Sequence, residues 1–505
     1  MSDDVKNDKL KVAFFFGAGA EAPYGLPSGG EFALEIFRTI GTQDKQALRD
    51  EIARVEPTSH QALWLPQGYM NNRVTVFGKT NFDSIIASTL EMRRSEVIRA
   101  LLKFDEASNK AKSQFCELGI KIDDVLSGLG CEPGTVQYSN EIRLNKNLGL
   151  ENLDGFFGSA YFSTLVHLLR NAGFDDENVG DASTLARSFV EILIGALGQD
   201  LVHSLNNGIF EAAPDDLPFL DDIGGIFNLD YRKVGLDALA FILSKKPFLA
   251  RQSKLTKDLP PQYLAVEFYL RVAEILYSTV VDYQSLVDSH YRYLYQPKKE
   301  WAKFCKISTF LFTVHRYMSE HLGGVRRVDA YYEDLYAFSG IDIHAVGTSN
   351  YTNLISALEH DDVFFLNGSL SEFYDPYRNE IVDQSHESLK VPSLFTQSGT
   401  KPMISIKMSR RYIDFFDKCR DVDRMVVLGY GFNSDDGHIN TLLRSLIDDC
   451  GKKIDVIGYG CENCTSRKKE IAANIRCSDV DKITVHRINK ERTIDDQPWL
   501  NYLFG

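Results

Sequence analysis

The sequence feature that most constrains the fold is an apolar run near the start of the chain that ends abruptly at glycines. Residues 12–16 are too few for a helix and do not alternate with polar residues, which is typical of a central parallel strand buried on both faces. Gly17 and Gly19 follow, and glycine permits a sharp turn and a close approach of the backbone to a ligand. Residues 31–40 have the apolar spacing of a helix, whose first N–H groups would face a phosphate. The stretch therefore predicts a strand, a phosphate-binding loop and a helix.

Two kinds of nucleotide-binding loop compete for this stretch. The pattern Gly-x-Gly-x-x-Ala at 17–22 satisfies the relaxed fingerprint of nicotinamide dehydrogenases. That fingerprint also requires an uninterrupted helix and a second strand that ends in an acidic residue about 20 positions later. Pro23, Gly25 and Pro27 would break such a helix, and residues 37–38 lie in a helical pattern. The dehydrogenase loop is therefore the weaker match.

Length and charge limit the class of protein. A chain of 505 residues exceeds one ordinary core, so two units or one domain with a large insertion are expected. The formal charge of −14 argues against broad contact with nucleic acid. The sequence lacks an apolar run of the roughly 20 residues that span a membrane, and its first residues are too polar and acidic for a signal peptide. A cytoplasmic protein without a membrane partner is predicted.

The cysteine pattern does not predict a metal site. The eight cysteines are scattered along the chain, unlike a secreted disulfide framework. Cys461 and Cys464 form the only Cys-x-x-Cys pair, and a second pair for a four-thiolate zinc site is missing. No metal is expected.

The middle of the chain, residues 43–335, has a mainly helical period and is predicted to be a helical insertion into an α/β domain. A loop is expected at 176–180, with Asp181 or Ser183 as the cap of the next helix. The aromatic and basic residues at 291–301 could stack on nucleic-acid bases, but packing between helices is the better interpretation.

The α/β pattern returns after the helical middle. Apolar runs predict strands at 341–347, 363–366, 424–429, 454–458 and 482–486, and helical segments lie between several of them. Parallel strands place their carboxyl ends on one edge, so Gly17, Thr348, Asn367 and Gly429 should converge where an open α/β sheet binds its ligand. The predicted fold is α/β, with a Rossmann-like parallel sheet formed by residues 1–42 and 336–505 and a large α-helical insertion at 43–335.

Four short segments, in order, resemble motifs of the sirtuins. Gly17-Ala18-Gly19 with Gly25-Leu26-Pro27 resembles the sirtuin cofactor loop, and Thr348-Ser349-Asn350-Tyr351 resembles the Thr-Thr-Asn-Tyr of bacterial sirtuin-like proteins. Leu366-Asn367-Gly368 is similar to Leu-His-Gly, and Gly429-Tyr430-Gly431-Phe432 to the ribose-binding turn. The match extends over residues 1–42 and 336–505 and is closest to the sirtuin-like effectors of bacterial anti-phage defence.

The sequence also departs from the family. Glu21 stands where serine is usual, Gly29-Gly30 replaces Phe-Arg, and Thr352 replaces an aspartate. Asn367 occupies the position of the catalytic histidine, and an amide cannot act as a general base. The zinc module with two Cys-x-x-Cys pairs that protein-deacylating sirtuins usually carry is missing, which argues against deacylation.

The resemblance implies an NAD⁺ hydrolase that depletes the cofactor, acting as a homo-oligomer or with a partner such as a defence-system ATPase or sensor. It assigns cofactor contacts to Gly17, Ala18, Gly19, Glu21, Leu26, Pro27, Thr348, Ser349, Asn350, Gly429, Tyr430, Gly431 and Phe432, and catalytic positions to Asn350 and Asn367. The amide of Asn350 could orient a ribose hydroxyl or the attacking water. The alternative is a weak or inactive module that binds NAD or ADP-ribose and assembles with a partner protein.

Other titratable residues near these motifs are less prominent. His344, His360 and His386 lie near the second and third motifs, and each is expected to be structural or solvated. His438 is expected in the first turn of a helix rather than as a metal ligand.

Overall fold

A computed structural model describes most of the chain. The described residues are 9–26, 29–144, 154–171, 176–198, 210–212, 230–245, 248–323, 325, 329–360, 363–395, 405–433, 436–459 and 463–505. Their strands are β1 (Leu10–Phe16), β2 (Arg143–Leu144), β3 (Phe210–Ala212), β4 (Ile341–Thr348), β5 (Val363–Phe365), β6 (Gly368–Asp375), β7 (Glu380–Val382), β8 (Val391–Leu394), β9 (Arg424–Leu428), β10 (Ile454–Tyr459), β11 (Ile483–Ile488), β12 (Thr493–Ile494) and β13 (Gln497–Pro498).

Helices make up much of the described chain. In order they are α1 (Gly29–Thr39), α2 (Thr42–Ala53), α3 (His60–Trp64), α4 (Lys79–Met92), α5 (Arg94–Leu102), α6 (Phe104–Glu117), α7 (Ile122–Gly128), α8 (Asp154–Phe157), α9 (Ala160–Asn171), α10 (Asp176–Leu197), α11 (Tyr231–Ser244), α12 (Phe248–Gln252), α13 (Pro261–Ser278), α14 (Gln284–Tyr291), α15 (Trp301–Gly323), α16 (Tyr331–Ala337), α17 (Ile406–Arg420), α18 (Gly437–Asp448), α19 (Cys464–Ile475) and α20 (Trp499–Phe504). None of these described helices is long and apolar enough to cross a membrane.

A six-stranded sheet has the order β11–β10–β9–β1–β4–β5, and every neighbouring pair is parallel. Counted along the chain within this sheet, the order is 6-5-4-1-2-3, which matches the Rossmann-like arrangement. The predicted mixed α/β class and the six predicted strands are confirmed. The strand order reverses between β1 and β9, and such a switch point is where open α/β sheets bind ligands.

β1 lies at the centre of this sheet because its side chains are apolar on both faces. Residues 12–16 are fully buried, as predicted. Phe16 packs edge-on against Tyr332, with the ring centroids 5.1 Å apart, and Phe14 contacts Trp499 on the same face. Phe15 points to the opposite face and contacts Tyr430 edge-on at 5.2 Å.

The described residues divide into two compact units. The first comprises Met1–Phe32, Ile36–Phe77 and Gln284–Gly505, and it contains the parallel sheet. It also contains an antiparallel sheet of order β7–β6–β8, which the sequence analysis did not predict. In this unit Arg316 of α15 forms an ion pair with the buried Asp44 of α2, with 2.9 Å between nitrogen and oxygen.

The second unit comprises Ala33–Glu35 and Gly78–Tyr283. Its core includes a cluster of aromatic rings from four helical segments, namely Phe104, Phe156, Phe162 and Phe189. Helix α13 is buried on all sides from Leu264 to Ser278, and it is apolar around most of its circumference, as a core helix requires. The segment 43–335 therefore contributes to both units: 43–77 and 284–335 pack in the unit of the parallel sheet.

Two local predictions have clear outcomes. The loop at 176–180 is wrong, because α10 begins at Asp176 and contains Asp181 and Ser183. Acidic residues are favourable in the first turn of a helix, so Asp176 and Glu177 fit there as well as in a loop. Within residues 291–301, Tyr291 and Tyr293 are buried as packing requires, but the ring of Tyr291 contacts Phe395 next to β8, and Trp301 stacks on Phe304 of its own helix at 5.4 Å.

Candidate functional site

The loops that follow β1, β4, β5 and β9 meet at the carboxyl ends of the parallel strands, here called the carboxyl edge. Phe16 is in register with both Thr348 and Leu428. The N–H of Gly17 donates to the carbonyl of Leu428 at 2.9 Å, and the N–H of Ser349 donates to the carbonyl of Phe16 at 3.0 Å. The N–H of Leu366 donates to the carbonyl of Thr348 at 2.9 Å. The sequence-predicted motifs therefore lie together.

The glycines of the first loop are explained by packing against a second loop. A Cβ atom on Gly17 would lie 2.6 Å from the carbonyl oxygen of Gly429, and one on Gly19 would lie 2.8 Å from its Cα. Gly429 has φ +69°, and its own Cβ would lie 2.1 Å from the backbone nitrogen of Ala20. Glycine is therefore needed in this loop because two backbones approach each other closely at the switch point.

The rest of the first loop is compact. Short 3₁₀ turns at Ala18–Ala20 and Ala22–Tyr24 precede α1. Leu26 is buried, and Pro27 lies outside the described residues. A cavity of about 360 Å³ adjoins this loop, and its described lining residues are Tyr24, Gly25, Glu320, His321 and Val325.

Four buried polar side chains, here called the polar cluster, connect the loops after β1 and β4: Glu21, Tyr332, Asn350 and Thr352. The amide nitrogen of Asn350 donates to the carbonyl of Gly17 at 3.1 Å and to the hydroxyl of Tyr332 at 3.4 Å. One carboxyl oxygen of Glu21 accepts from Thr352 at 2.6 Å and from the hydroxyl of Tyr332 at 3.2 Å. Two positions that depart from the sirtuin pattern, 21 and 352, are therefore hydrogen-bonded to each other.

Burial dominates the electrostatics of the polar cluster. Glu21 is 3% exposed, and its desolvation raises the pKa of the carboxyl to about 7, although hydrogen bonds from Thr352, Tyr332 and Asn350 oppose the shift. Burial also raises the pKa of Tyr332 well above its usual value, so this hydroxyl stays protonated. Glu21 can therefore gain or lose a proton near neutral pH.

Asn367 lies at the same edge and contacts a histidine. Its amide nitrogen donates to the carbonyl of Ser349 at 3.3 Å, and its oxygen lies 3.1 Å from Nε2 of His438. Gly368 follows with φ +83°, and a Cβ there would lie 1.7 Å from the carbonyl oxygen of Ser393, so glycine is required to start β6. The motif Leu366-Asn367-Gly368 therefore lies where the chain passes from β5 of the parallel sheet to β6 of the antiparallel sheet.

His438 is the second residue of α18, and its position in the first helical turn is confirmed. The ring of Tyr412 packs edge-on against the imidazole, with centroids 5.5 Å apart. The sequence analysis did not predict the contact with Asn367. A signal existed, because a helix that directly follows a parallel strand presents its first turn at the carboxyl edge.

The fourth motif contributes mainly backbone to the carboxyl edge. The hydroxyl of Tyr430 donates to the side chain of Asn440 at 3.0 Å, and the Tyr430 ring is buried. Phe432 is 1% exposed and has φ +57°. The carbonyl of Gly431 accepts from Arg467 at 3.2 Å. The side chains of Tyr430 and Phe432 therefore pack inside the protein.

The other candidate histidines have different contacts. The imidazole of His360 lies 2.9 Å from the carbonyl of Ile343, and that of His386 lies 3.8 Å from the buried Asp375. Within the described residues, groups of three or more His, Cys, Asp or Glu side chains that could hold a metal ion are not found. Cys461 lies outside those residues.

The architecture and the site define a mixed α/β protein with an all-parallel sheet, compatible with a Rossmann-like fold, and with polar groups at its switch point. Comparisons of the chain with protein-family models, with curated proteins and with solved structures give no match. The function is therefore inferred from the residues at the carboxyl edge.

Proposed function

We propose that this protein is an NAD⁺ hydrolase that cleaves the bond between nicotinamide and ribose at the carboxyl edge. The observation that carries the proposal is the polar cluster: the amide of Asn350 and the carboxyl of Glu21 share the hydroxyl of Tyr332 as a hydrogen-bond partner beside the Gly17 loop. An oriented amide and a titratable carboxyl at the switch point of a parallel sheet suit a reaction on a nucleotide.

The reaction needs orientation more than covalent chemistry. As the C1′–N bond breaks, its electron pair goes to the nicotinamide ring, and positive charge develops on the ribose. Water then adds to C1′ and releases one proton. The amide of Asn350 is held in place by its hydrogen bonds and can orient a ribose hydroxyl or the water. Such positioning contributes much of the rate enhancement.

The resemblance to sirtuin-like defence effectors supports the choice of NAD⁺ as substrate. Gly17-Ala18-Gly19, Thr348-Ser349-Asn350 and Leu366-Asn367-Gly368 carry that resemblance, and they lie side by side at the carboxyl edge. Depletion of NAD⁺ in anti-phage defence, in the cytoplasm, by a homo-oligomer or with a partner protein such as an ATPase or sensor, is the corresponding biological proposal. No metal takes part in the proposed reaction.

Product analysis tests the proposal. The purified full-length protein is incubated with NAD⁺ over a series of protein concentrations, and free nicotinamide and ADP-ribose are quantified. Hydrolysis predicts equal molar amounts of the two products. NAD⁺ that binds but stays intact would contradict the hydrolase.

A second candidate function is a module that binds NAD or ADP-ribose without cleaving it and assembles with a partner protein. The observation in its favour is Asn367, whose amide does not titrate and is held between Ser349 and His438. Under this alternative, wild-type protein binds NAD⁺ and releases no nicotinamide. The variant Asn367→His tests whether position 367 alone prevents catalysis. Nicotinamide release by this variant would show that the other groups of the site are in place.

A further inference from the structure

The proposed hydrolysis releases a proton from water, so it requires an acceptor near the reacting ribose. Asn350 and Asn367 cannot serve, because amides do not titrate. The described contacts include two candidate proton acceptors: Glu21 reaches Asn350 through the hydroxyl of Tyr332, and His438 contacts the oxygen of Asn367. Glu21 and His438 are therefore the two candidates for the base.

The contacts of His438 suit an orienting role. The amide nitrogen of Asn367 donates to the carbonyl of Ser349, so its oxygen faces the imidazole and accepts from Nε2. In this arrangement the imidazole holds Asn367 in one orientation. Because Nε2 of His438 donates its proton to Asn367, this nitrogen cannot act as the base.

Glu21 belongs to the loop after β1 and contacts the loop after β4. Its carboxyl oxygen is 2.6 Å from the hydroxyl of Thr352 and 3.2 Å from that of Tyr332, and the latter accepts from Asn350. The hydroxyl of Tyr332 therefore connects Glu21 to the amide proposed to orient the substrate. We propose that the Glu21 carboxylate is the general base of this site, a role that rests on the proposed NAD⁺ hydrolysis.

The groups around Glu21 come from three elements. Thr352 and Asn350 belong to the loop after β4, Tyr332 to α16, and Tyr24 to the loop of Glu21 itself. The hydroxyl of Tyr24 donates to Glu333, the acidic neighbour on α16. The contacts of Glu21 are thus hydroxyls and an amide, and burial can raise its pKa to about 7. A base with this pKa accepts a proton in the reaction and releases it near neutral pH.

The proposed hydrolysis breaks one bond to C1′ and forms another. The C1′–N bond of NAD⁺ breaks and its electron pair stays with nicotinamide, which leaves as a neutral molecule. The water oxygen forms a bond to C1′, and one water proton passes to the Glu21 carboxylate. The protonated carboxyl then returns the proton to solvent, and ADP-ribose is released.

Glu21→Gln tests the assignment, because glutamine keeps an oxygen acceptor for Thr352 and Tyr332 but does not titrate. Nicotinamide release is measured against pH for the full-length wild type and variant. The wild-type rate should rise with pH and level off above about 7. Glu21→Gln should lower kcat by roughly 100-fold or more and remove this rise, while KM stays within a few-fold.

Two comparison variants separate catalysis from structure. Thr352→Val removes a hydrogen bond that lowers the pKa of Glu21, so the rise in rate should move to higher pH; this variant also carries the test if Glu21→Gln does not fold. His438→Gln should keep the rise where it is. Loss of the rise in His438→Gln with its retention in Glu21→Gln would overturn the proposal and make His438 the base. A wild type that binds NAD⁺ without nicotinamide release would overturn the proposed function itself.

Discussion

At the scale of single residues, the polar cluster places an ionisable group where ionisation is costly. Glu21 is almost fully buried, and its neighbours are neutral hydroxyl and amide groups that only partly replace water. Burial of a carboxylate raises its pKa, because the neutral form loses less solvation than the charged form. The same property that suits Glu21 to proton transfer should therefore make folding depend on pH.

The first prediction concerns this dependence. The pKa of Glu21 rises from 4.5 to about 7 on folding, so the folded state binds more protons between these values. The contribution of Glu21 to stability is present below about pH 4.5 and is lost as pH rises through 7. The difference in unfolding free energy between Glu21→Gln and wild type should shift by about 3 kcal/mol in favour of the variant over this range.

Urea denaturation at a series of pH values measures this difference. The Glu21→Gln variant is the reference for the wild type, because the two proteins share all other titrating groups. If the difference in unfolding free energy stays constant from about pH 4.5 to about pH 8, the pKa of the Glu21 carboxyl is not raised by folding.

A second prediction concerns Gly19. A new Cβ would lie 2.8 Å from Gly429 Cα, and backbone atoms cannot move aside as a flexible side chain can. Gly19→Ala should lower the free energy of unfolding by roughly 1–3 kcal/mol. Gly437→Ala, at the start of α18, has open space around its Cβ and is the matched control.

Urea denaturation of both alanine variants checks this prediction. Gly437→Ala should remain within about 0.5 kcal/mol of wild type. Equal stability of Gly19→Ala and wild type would mean that the two loops do not pack as closely as described. Reduced ligand binding by a Gly19 variant is therefore interpretable only after its stability is known.

At the scale of secondary-structure elements, the parallel strands were predictable and the antiparallel sheet was not. β1 and β9 contain continuous buried apolar runs, β4 ends in one after Asp342 and His344, and the predicted bounds of all three are within two residues. β6 mixes serine, glutamate and aspartate with apolar residues, so neither a strand nor a helix period stands out. Its place depends on a positive φ at Gly368 and on pairing with β8, which only the folded chain reveals.

A third prediction concerns the hydrogen bonds of Asp455, which connect three neighbouring strands. Asp455 of β10 accepts from Arg424 of β9 at 2.6 Å and from His486 of β11 at 2.7 Å. Burial opposes ionisation of Asp455, but these hydrogen bonds outweigh it, and the pKa of Asp455 lies below its usual value. Asp455→Asn should therefore lower the unfolding free energy at neutral pH by roughly 1–3 kcal/mol, because it removes the buried carboxylate partner of Arg424, whose side chain is 30% exposed.

The pH dependence makes this prediction specific. A carboxyl with a lowered pKa contributes stability above its unfolded pKa and loses it as pH falls through the folded one. The loss in Asp455→Asn should therefore shrink below about pH 4. If urea denaturation shows the same loss of unfolding free energy at pH 3 and pH 7, the effect of Asp455→Asn comes from packing and not from the charge of Asp455.

At the scale of the whole molecule, the helical period predicted helices without predicting their partners. Residues 43–335 looked uniform along the sequence, yet α2 and α15 pack in the unit of the parallel sheet, whereas α4 to α13 form the second unit. The candidate site shows the same limit. Strand topology predicts that Gly17, Thr348, Asn367 and Gly429 converge, but the contacts Glu21–Thr352 and Asn367–His438 join residues far apart in sequence.

A fourth prediction follows from the second unit. The segment 78–283 contains its own buried core, including the aromatic cluster and α13, so it should fold when expressed alone. Circular dichroism should show a helical protein with one cooperative thermal transition. A gradual, non-cooperative loss of helix would mean that this segment depends on the rest of the chain.

The most direct test of the central claim is the rate of nicotinamide release from NAD⁺ by Asn350→Ala and by a matched variant of the same loop. Asn350 is buried and contacts Gly17, whereas Asn353, three residues later, is exposed. Folded fractions are equalised first, because loss of the buried hydrogen bonds of Asn350 should cost about 1–3 kcal/mol of stability. Asn350→Ala should reduce the rate by roughly 100-fold or more, and Asn353→Ala should stay within about two-fold of wild type. A folded Asn350→Ala protein that releases nicotinamide within a few-fold of the wild-type rate would contradict an NAD⁺ hydrolase site at the carboxyl edge.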